Sequence, residues 1–288
     1  MVTIENEKLK AVISSKGAEL QSLINKETGI EYMWSGDVAY WGKHSPVLFP
    51  IVGSLKADTY FYKEKAYHLS RHGFAREKIF LKDQLSLDEA VFTLTQDTET
   101  LALYPFAFIL RLRYRLDDNQ LTVTYEVSNN GYDELLFSVG AHPAFAVPVV
   151  EGTDYDDYYL NFNSTEQLYR WKLQDGLIAD HAVPLPTQDG ILPLAHELFY
   201  EDAIVLKHMQ SNRIAIGCTK HAHGIHFNFN HFPFFGIWAA KDANFICLEP
   251  WCGIADSVNS NQQLTDKEGI NNMPANSKWQ RSWMVECF

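Results

Sequence analysis

"ILRLRYRLDDNQLTVTYEVSN" (109–129) is the stretch that decides the fold class. In its first half Leu112, Tyr114 and Leu116 alternate with Arg111, Arg113 and Arg115. A period of two puts apolar and charged side chains on opposite faces of an extended chain. "DDNQ" (117–120) is turn-forming, and "LTVTYEVSN" (121–129) alternates again, so the stretch reads as an antiparallel hairpin with one wet face. Outward from it, "KAVISS", "AVFTLT", "LLFSVG", "YYLNF", "AIVLK", "RIAIG", "IHFNF", "FGIWAA" and "FICLE" read as further strands. Many are separated by short turn clusters such as "NKETG" and "SNNGYD". Only "PLAHELFYED" (193–202) carries the pattern of a helical turn or two. A dozen or more strands, with no βαβ alternation, low-complexity linker or internal repeat, predict an all-β protein. The expected architecture is a large antiparallel β-sandwich formed as one domain over residues 1–288.

Composition narrows the function classes. With 46% hydrophobic residues the chain can bury a sizeable core, and 7 Trp, 14 Tyr and 18 Phe exceed what a core requires. Flat rings suit carbohydrate faces as well as packing, and filling an all-β interior accounts for most of them. A net charge of −12, from 24 basic and 36 acidic residues, argues against a broad nucleic-acid surface. Cys218, Cys247, Cys252 and Cys287 form no C-x-x-C pair and are read as reduced, buried thiols. The amino terminus lacks the pattern of a signal peptide, and no run approaches the roughly 20 apolar residues of a membrane span. A soluble, cytoplasmic protein is the expectation.

The chemistry starts at "FICLEPWCG" (245–253), where Glu249 stands in a run that otherwise wants burial. A carboxylate taken out of water is costly unless compensated. Glu249 is therefore either a poorly solvated base or the partner of a buried Arg or Lys. In "SVGAHPAF" (138–145), Pro143 pushes His142 toward an extended conformation and ends regular pairing, which presents an imidazole at a strand end. The alternative is a core histidine satisfied by a backbone carbonyl. "SRHGFAR" (70–76) gathers Arg71, His72 and Arg76 about Gly73, a set suited to an anionic or polyhydroxylated ligand, or simply an exposed basic loop. Asp202 in "YEDAIVL" (200–206) is by itself only a turn acid. "HAHGIHFNFNH" (221–231) offers His221, His223, His226 and His231, either as metal ligands or as a polar strand face interrupted by Gly224. One acid near neutral pH (His142) and one base (Glu249), on opposite sides of a substrate, need neither metal nor nucleotide. No phosphate-cradling glycine motif is present.

Five segments together resemble the aldose 1-epimerase (galactose mutarotase-like) superfamily: "PVLFPIVG" (46–53), "HGFAR" (72–76), "VGAHPAF" (139–145), "EDAIVL" (201–206) and "CLEPWCG" (247–253). More narrowly the chain resembles the bacterial branch encoded with lactose genes and the hexose-6-phosphate epimerase branch. The resemblance implies a β-supersandwich, no cofactor, no metal, and interconversion of the α and β anomers of a hexose. Carried over residue by residue, it makes Glu249 the general base at the anomeric hydroxyl and His142 the general acid at the ring oxygen. His72 then hydrogen-bonds the sugar, Asp202 grips ring hydroxyls, and Arg76 matches an arginine that holds phosphate in the sugar-phosphate branch. The small-molecule partner is an aldohexose or its 6-phosphate. A non-catalytic sugar-binding or regulatory protein of the same fold is the alternative. Two positions depart from the pattern: "GSLK" places Ser54 and Lys56 where relatives often have an arginine, and "WGKHSP" offers Lys43 where the phosphate branch has one. The charge of −12 favours a neutral sugar. No motif speaks to oligomeric state.

Overall fold

A computed structural model describes residues 1–288. Phe108–Asp117 and Gln120–Asn129 pair antiparallel from Phe108↔Asn129 to Asp117↔Gln120. The two-residue turn between them carries Asp118 at φ +52°, a left-handed conformation that Asp tolerates. Leu110, Leu112, Tyr114 and Leu116 are buried, whereas Arg111, Arg113 and Arg115 point outward. Arg113 is neutralised there by Glu89 and Glu126 on the neighbouring strands.

The hairpin lies within a nine-stranded antiparallel sheet. Beyond Phe108–Asp117 come Glu89–Thr95 and the edge strand Leu81–Gln84. On the other side Lys278–Cys287 leads to Ile225–Asn228, Arg213–Cys218, Tyr158–Phe162 and Ile191–Pro193. A second, seven-stranded sheet is built on Phe245–Cys252. On one side of that strand lie Val139–Gly140 and Ala144–Ala146. On the other follow Phe234–Trp238, Ile204–Lys207, Tyr169–Gln174 and Leu177–Pro184. The inner faces meet through aromatic contacts such as Phe229–Phe235, with ring centroids 4.3 Å apart, and Phe145–Phe227, at 5.8 Å. One apolar core runs through both sheets from Val2 to Cys287. The all-β sandwich expected from the alternation is therefore the observed architecture.

"YYLNF" becomes the strand Tyr158–Phe162, and "PLAHELFYED" contributes a 3-10 turn at His196–Phe199. A six-residue helix, Thr98–Leu103, was not anticipated. It is nucleated by a reciprocal cap, in which Asp97 Oδ1 accepts from Thr100 N (2.6 Å) and Thr100 Oγ1 accepts from Asp97 N (2.8 Å). All four cysteines are free and buried, as expected. No helix is long and apolar enough to cross a membrane.

Candidate active site

The register of the second sheet assembles the site. Phe245–Cys252 pairs with Val139–Gly140 at one end (Val139↔Cys252, Gly140↔Trp251) and with Ala144–Ala146 at the other (Ala144↔Cys247, Phe145↔Ile246). Carried through the gap, this one register sets His142 opposite Glu249. Pro143 has no N–H to give the ladder, so pairing lapses there and His142 is released from the strand geometry. The gap is pinned on both sides, because Ala141 N donates to Pro250 O (3.1 Å) and Leu248 N to Pro143 O (3.2 Å). His142 Nε2 lies 3.3 Å from Glu249 Oε2. The sequence reading put acid and base on opposite sides of a substrate; the shared register instead makes them neighbours on one wall.

Both groups are buried, Glu249 at 1% exposure and His142 at 8%. Burial disfavours charge on each. It raises the Glu249 carboxyl well above its ordinary value, against the pull of the Arg71 guanidinium, and pushes the His142 imidazole down to about 3. The resting pair is thus neutral overall and holds one proton, on the carboxyl. No buried Arg or Lys forms an ion pair with Glu249, which removes the ion-pair alternative. Trp41 stacks on His142 (5.0 Å, 27°), and Trp238 packs against it edge-on (5.7 Å, 80°). Glu249 Oε2, His142 Nδ1 and Trp251 Nε1 are buried and have no hydrogen-bond partner within the protein.

The pair opens into a cleft of about 330 Å³ whose lining includes all five predicted site residues, His72, Arg76, His142, Asp202 and Glu249. His72 and Gly73 both have left-handed backbones, φ +69° and +71°. A Cβ at position 73 would run into the Phe49 carbonyl, so glycine is what allows the turn to tuck the imidazole under the cleft. There His72 Nδ1 accepts from Gly53 N (3.1 Å), and burial keeps the ring neutral. Arg76 Nη2 donates to the Arg71 carbonyl (2.9 Å), and its Nε is buried without an acceptor. Neither Arg71 nor Arg76 has a carboxylate within ion-pair distance. Asp202 follows the 3-10 turn at φ +76° and takes the Ala203 N–H on Oδ1 (2.7 Å).

Three tryptophans in the lining, Trp41, Trp238 and Trp251, were missed as site residues. The surplus of aromatics was the only sequence signal for them, and it did not say which rings face the cleft. Arg71 also lines the cleft, from the loop that carries His72 and Arg76. Lys43 and Lys56 do not line the cleft. Lys43 Nζ bonds Glu77 (2.9 Å), and Lys56 Nζ ties down the Val258 and Ser260 carbonyls (2.9 and 3.3 Å), so neither replaces an arginine toward a substrate. The far wall rests on a buried pair, Lys267 Nζ–Asp256 Oδ1 at 2.6 Å, each side chain 3% exposed. Asp256 also takes the Lys56 N–H and gives its own N–H to Ser54 O, which binds the Gly53 and Ala255 segments together.

The histidine-rich segment assembles no metal centre. Its strand starts only at Ile225, and His221 uses Nε2 toward Tyr158 Oη (2.9 Å) and Nδ1 to accept from His223 N (3.2 Å). One buried three-donor set does exist, with atoms of His142, Cys247 and Glu249 within 4.8 Å of one another. Its thiol is fully buried, lies off the cleft lining and is raised well above its ordinary pKa by burial, so it stays protonated.

Comparison with known proteins identifies the family. The family model described as aldose 1-epimerase matches residues 1–267. The plasmid-encoded protein LacX of Lactococcus lactis subsp. lactis is 32% identical over 279 residues, covering 93% of each chain. The crystal structure of a galactose mutarotase related enzyme from Lactobacillus acidophilus shares 35% identity and a TM-score of 0.95, covering 100% of this chain and 97% of that one. A galactose mutarotase-like protein from Lactobacillus casei ATCC 334 shares 34% identity and a TM-score of 0.94, with both chains covered completely. Matched by that family model over residues 1–267 and 32% identical to LacX over 93% of each chain, the chain belongs to the aldose 1-epimerase family.

Proposed function

We propose that the protein is an aldose 1-epimerase that interconverts the α and β anomers of a hexose in the cytoplasm, folded as one domain over residues 1–288. The observation that carries this is the 3.3 Å approach of His142 Nε2 to Glu249 Oε2 on the wall of the cleft that His72, Arg76 and Asp202 also line. The anomeric hydroxyl and the ring oxygen of a pyranose are both bonded to C1, so two adjacent proton-transfer groups on one wall reach both atoms. One takes the hydroxyl proton as the other protonates the ring oxygen, and the C1–O5 bond breaks to give the open aldehyde. Rotation about C1–C2 and closure on the other face follow, with the two roles exchanged. Glu249 acts as base and His142 as acid in opening. That requires the resting proton to pass from Glu249 to His142 on binding, a step that hydroxyls replacing lost solvation favour.

After ring opening His142 is neutral and Glu249 protonated, the distribution that burial favours in the empty site. The site is therefore suited to hold the aldehyde stage, where C1–C2 rotation happens. Asp202 accepts from ring hydroxyls, His72 hydrogen-bonds the sugar, and the Trp41, Trp238 and Trp251 rings supply apolar faces and exclude water.

A second reading, a 6-phosphorylated hexose, is favoured by Arg71 and Arg76, two lining guanidiniums that no carboxylate neutralises. Polarimetry on freshly dissolved α-glucose, α-galactose and glucose 6-phosphate separates the possibilities. Acceleration confined to the phosphate ester selects the second reading. No acceleration of any sugar refutes the epimerase proposal and leaves sugar binding without turnover.

A further inference from the structure

Arg170 lies outside the five residues chosen from sequence and outside the cleft lining. It sits on Tyr169–Gln174, the strand next to Ile204–Lys207, and its half-buried guanidinium reaches the turn that precedes that neighbour. Nη1 donates to Leu198 O (3.3 Å), and Nη2 donates to Glu201 O (3.1 Å) and Asp202 O (2.7 Å). The Leu198 carbonyl belongs to the 3-10 turn His196–Phe199, where a short helical segment runs out of N–H partners for its last carbonyls, and the other two follow that turn. No carboxylate pairs with Arg170; the nearby Glu201 is taken by Lys172. A planar fork is the group that can hold several carbonyls in one fixed arrangement.

The consequence falls on Asp202. Its φ of +76° is left-handed, a conformation that aspartate adopts more readily than most residues, and contacts with its surroundings hold it there. Two contacts do so: the Arg170 bond to the Asp202 carbonyl, and the Ala203 N–H donated to Asp202 Oδ1 (2.7 Å). Together they fix the peptide on one side and one carboxylate oxygen on the other, leaving Oδ2 for a ligand in the cleft.

We propose that Arg170 is a positioning residue, which clamps the 198–202 turn and thereby aims the Asp202 carboxylate at sugar hydroxyls. The proposal rests on Asp202 being a substrate contact. Because Asp202 is assigned to holding ring hydroxyls and not to moving a proton, its misplacement weakens ground and transition states alike and appears in KM. The test compares Arg170→Met, Arg170→Lys, Asp202→Asn and the Arg170→Met/Asp202→Asn double variant, by mutarotation kinetics and by calorimetric titration with the same hexose. Arg170→Met and Asp202→Asn are each expected to raise KM and the dissociation constant about tenfold with kcat within about twofold. The double variant is expected to be no worse than Asp202→Asn, and Arg170→Lys, which keeps one donor and the charge, to fall between wild type and Arg170→Met. If Arg170→Met does not fold, the lysine variant carries the comparison. An unchanged KM in the arginine variants beside a weakened Asp202→Asn overturns the clamp alone. An unchanged affinity in Asp202→Asn overturns both the clamp and the assignment of Asp202. Additive losses in the double variant assign Arg170 an effect not exerted through Asp202, and overturn the clamp as well.

Discussion

Replacing Glu249 with glutamine changes how stability responds to pH, and the size of the change follows from the burial of the pair. Unfolded, His142 titrates near 6.5 and Glu249 near 4.5; folded, the imidazole is pushed down to about 3 and the carboxyl is raised well above 4.5. Between pH 4.5 and 6.5 the folded pair holds one proton on Glu249, and the unfolded pair holds one on His142. The pair then contributes no slope. Above 6.5 the unfolded chain has released that proton, so for as long as the raised carboxyl of the folded chain keeps its own the wild type loses up to about 1.4 kcal/mol per pH unit. Glu249→Gln has no such group. Its folded state is flat above 6.5, and between 4.5 and 6.5 it gains stability with rising pH, because its unfolded state alone binds a proton on His142. In both windows the variant improves relative to wild type by about 1.4 kcal/mol per pH unit. With an unfolding entropy of about 2.1 cal/mol/K per residue, a chain of 288 residues converts this to about 2 °C in Tm per pH unit. Scanning calorimetry of both proteins from pH 5 to 8.5 reads it, other titrating groups cancelling in the difference. A Tm difference that stays constant with pH would mean that Glu249 is ionised in the fold at an ordinary pKa, and the neutral-pair account would be wrong.

Three further expectations concern the scaffold. Lys267→Met leaves Asp256 charged and buried without its partner, and should cost about 3–5 kcal/mol in urea unfolding; a loss under about 1 kcal/mol would show that the far wall does not depend on the pair. Gly73→Ala forces a side chain into a left-handed position against the Phe49 carbonyl, and should lower stability by about 1–3 kcal/mol and weaken sugar affinity through His72; wild-type behaviour would contradict the close approach. Thiol titration with Ellman's reagent should count none of the four cysteines in the native protein and all four in denaturant, since every one is buried; a rapidly reacting native thiol would contradict that burial.

The fold class was legible because the strands that carry it are amphipathic. Arg111, Arg113 and Arg115 against Leu112, Tyr114 and Leu116 leave one reading. Elements whose stability comes from neighbours were not legible. Leu81–Gln84 is an edge strand exposed on every residue and shows no period of two. Tyr169–Gln174, by contrast, does alternate, Tyr169, Trp171 and Leu173 against Arg170, Lys172 and Gln174, and was overlooked although its signal was present. Thr98–Leu103 is too short to display a helical period, and its only signal was Asp97 three residues ahead of Thr100. In the site, Glu249 and His142 could be found because each violates its surroundings, a carboxylate in an apolar run and an imidazole before proline. Their adjacency could not, since it depends on a register continued across a gap in pairing. Arg170 carried no local anomaly at all. It became visible only once the carbonyls it holds were seen, on a turn 28 to 32 residues further along the chain.

The central claim is that His142 and Glu249 move protons at an anomeric centre. The most direct test follows optical rotation of the hexose that responds best, with wild type and with Glu249→Gln at equal concentration and with matching near-ultraviolet circular dichroism. The account predicts that wild type accelerates the decay and that the folded variant loses at least about 100-fold of that acceleration. A folded Glu249→Gln protein with undiminished turnover would contradict it.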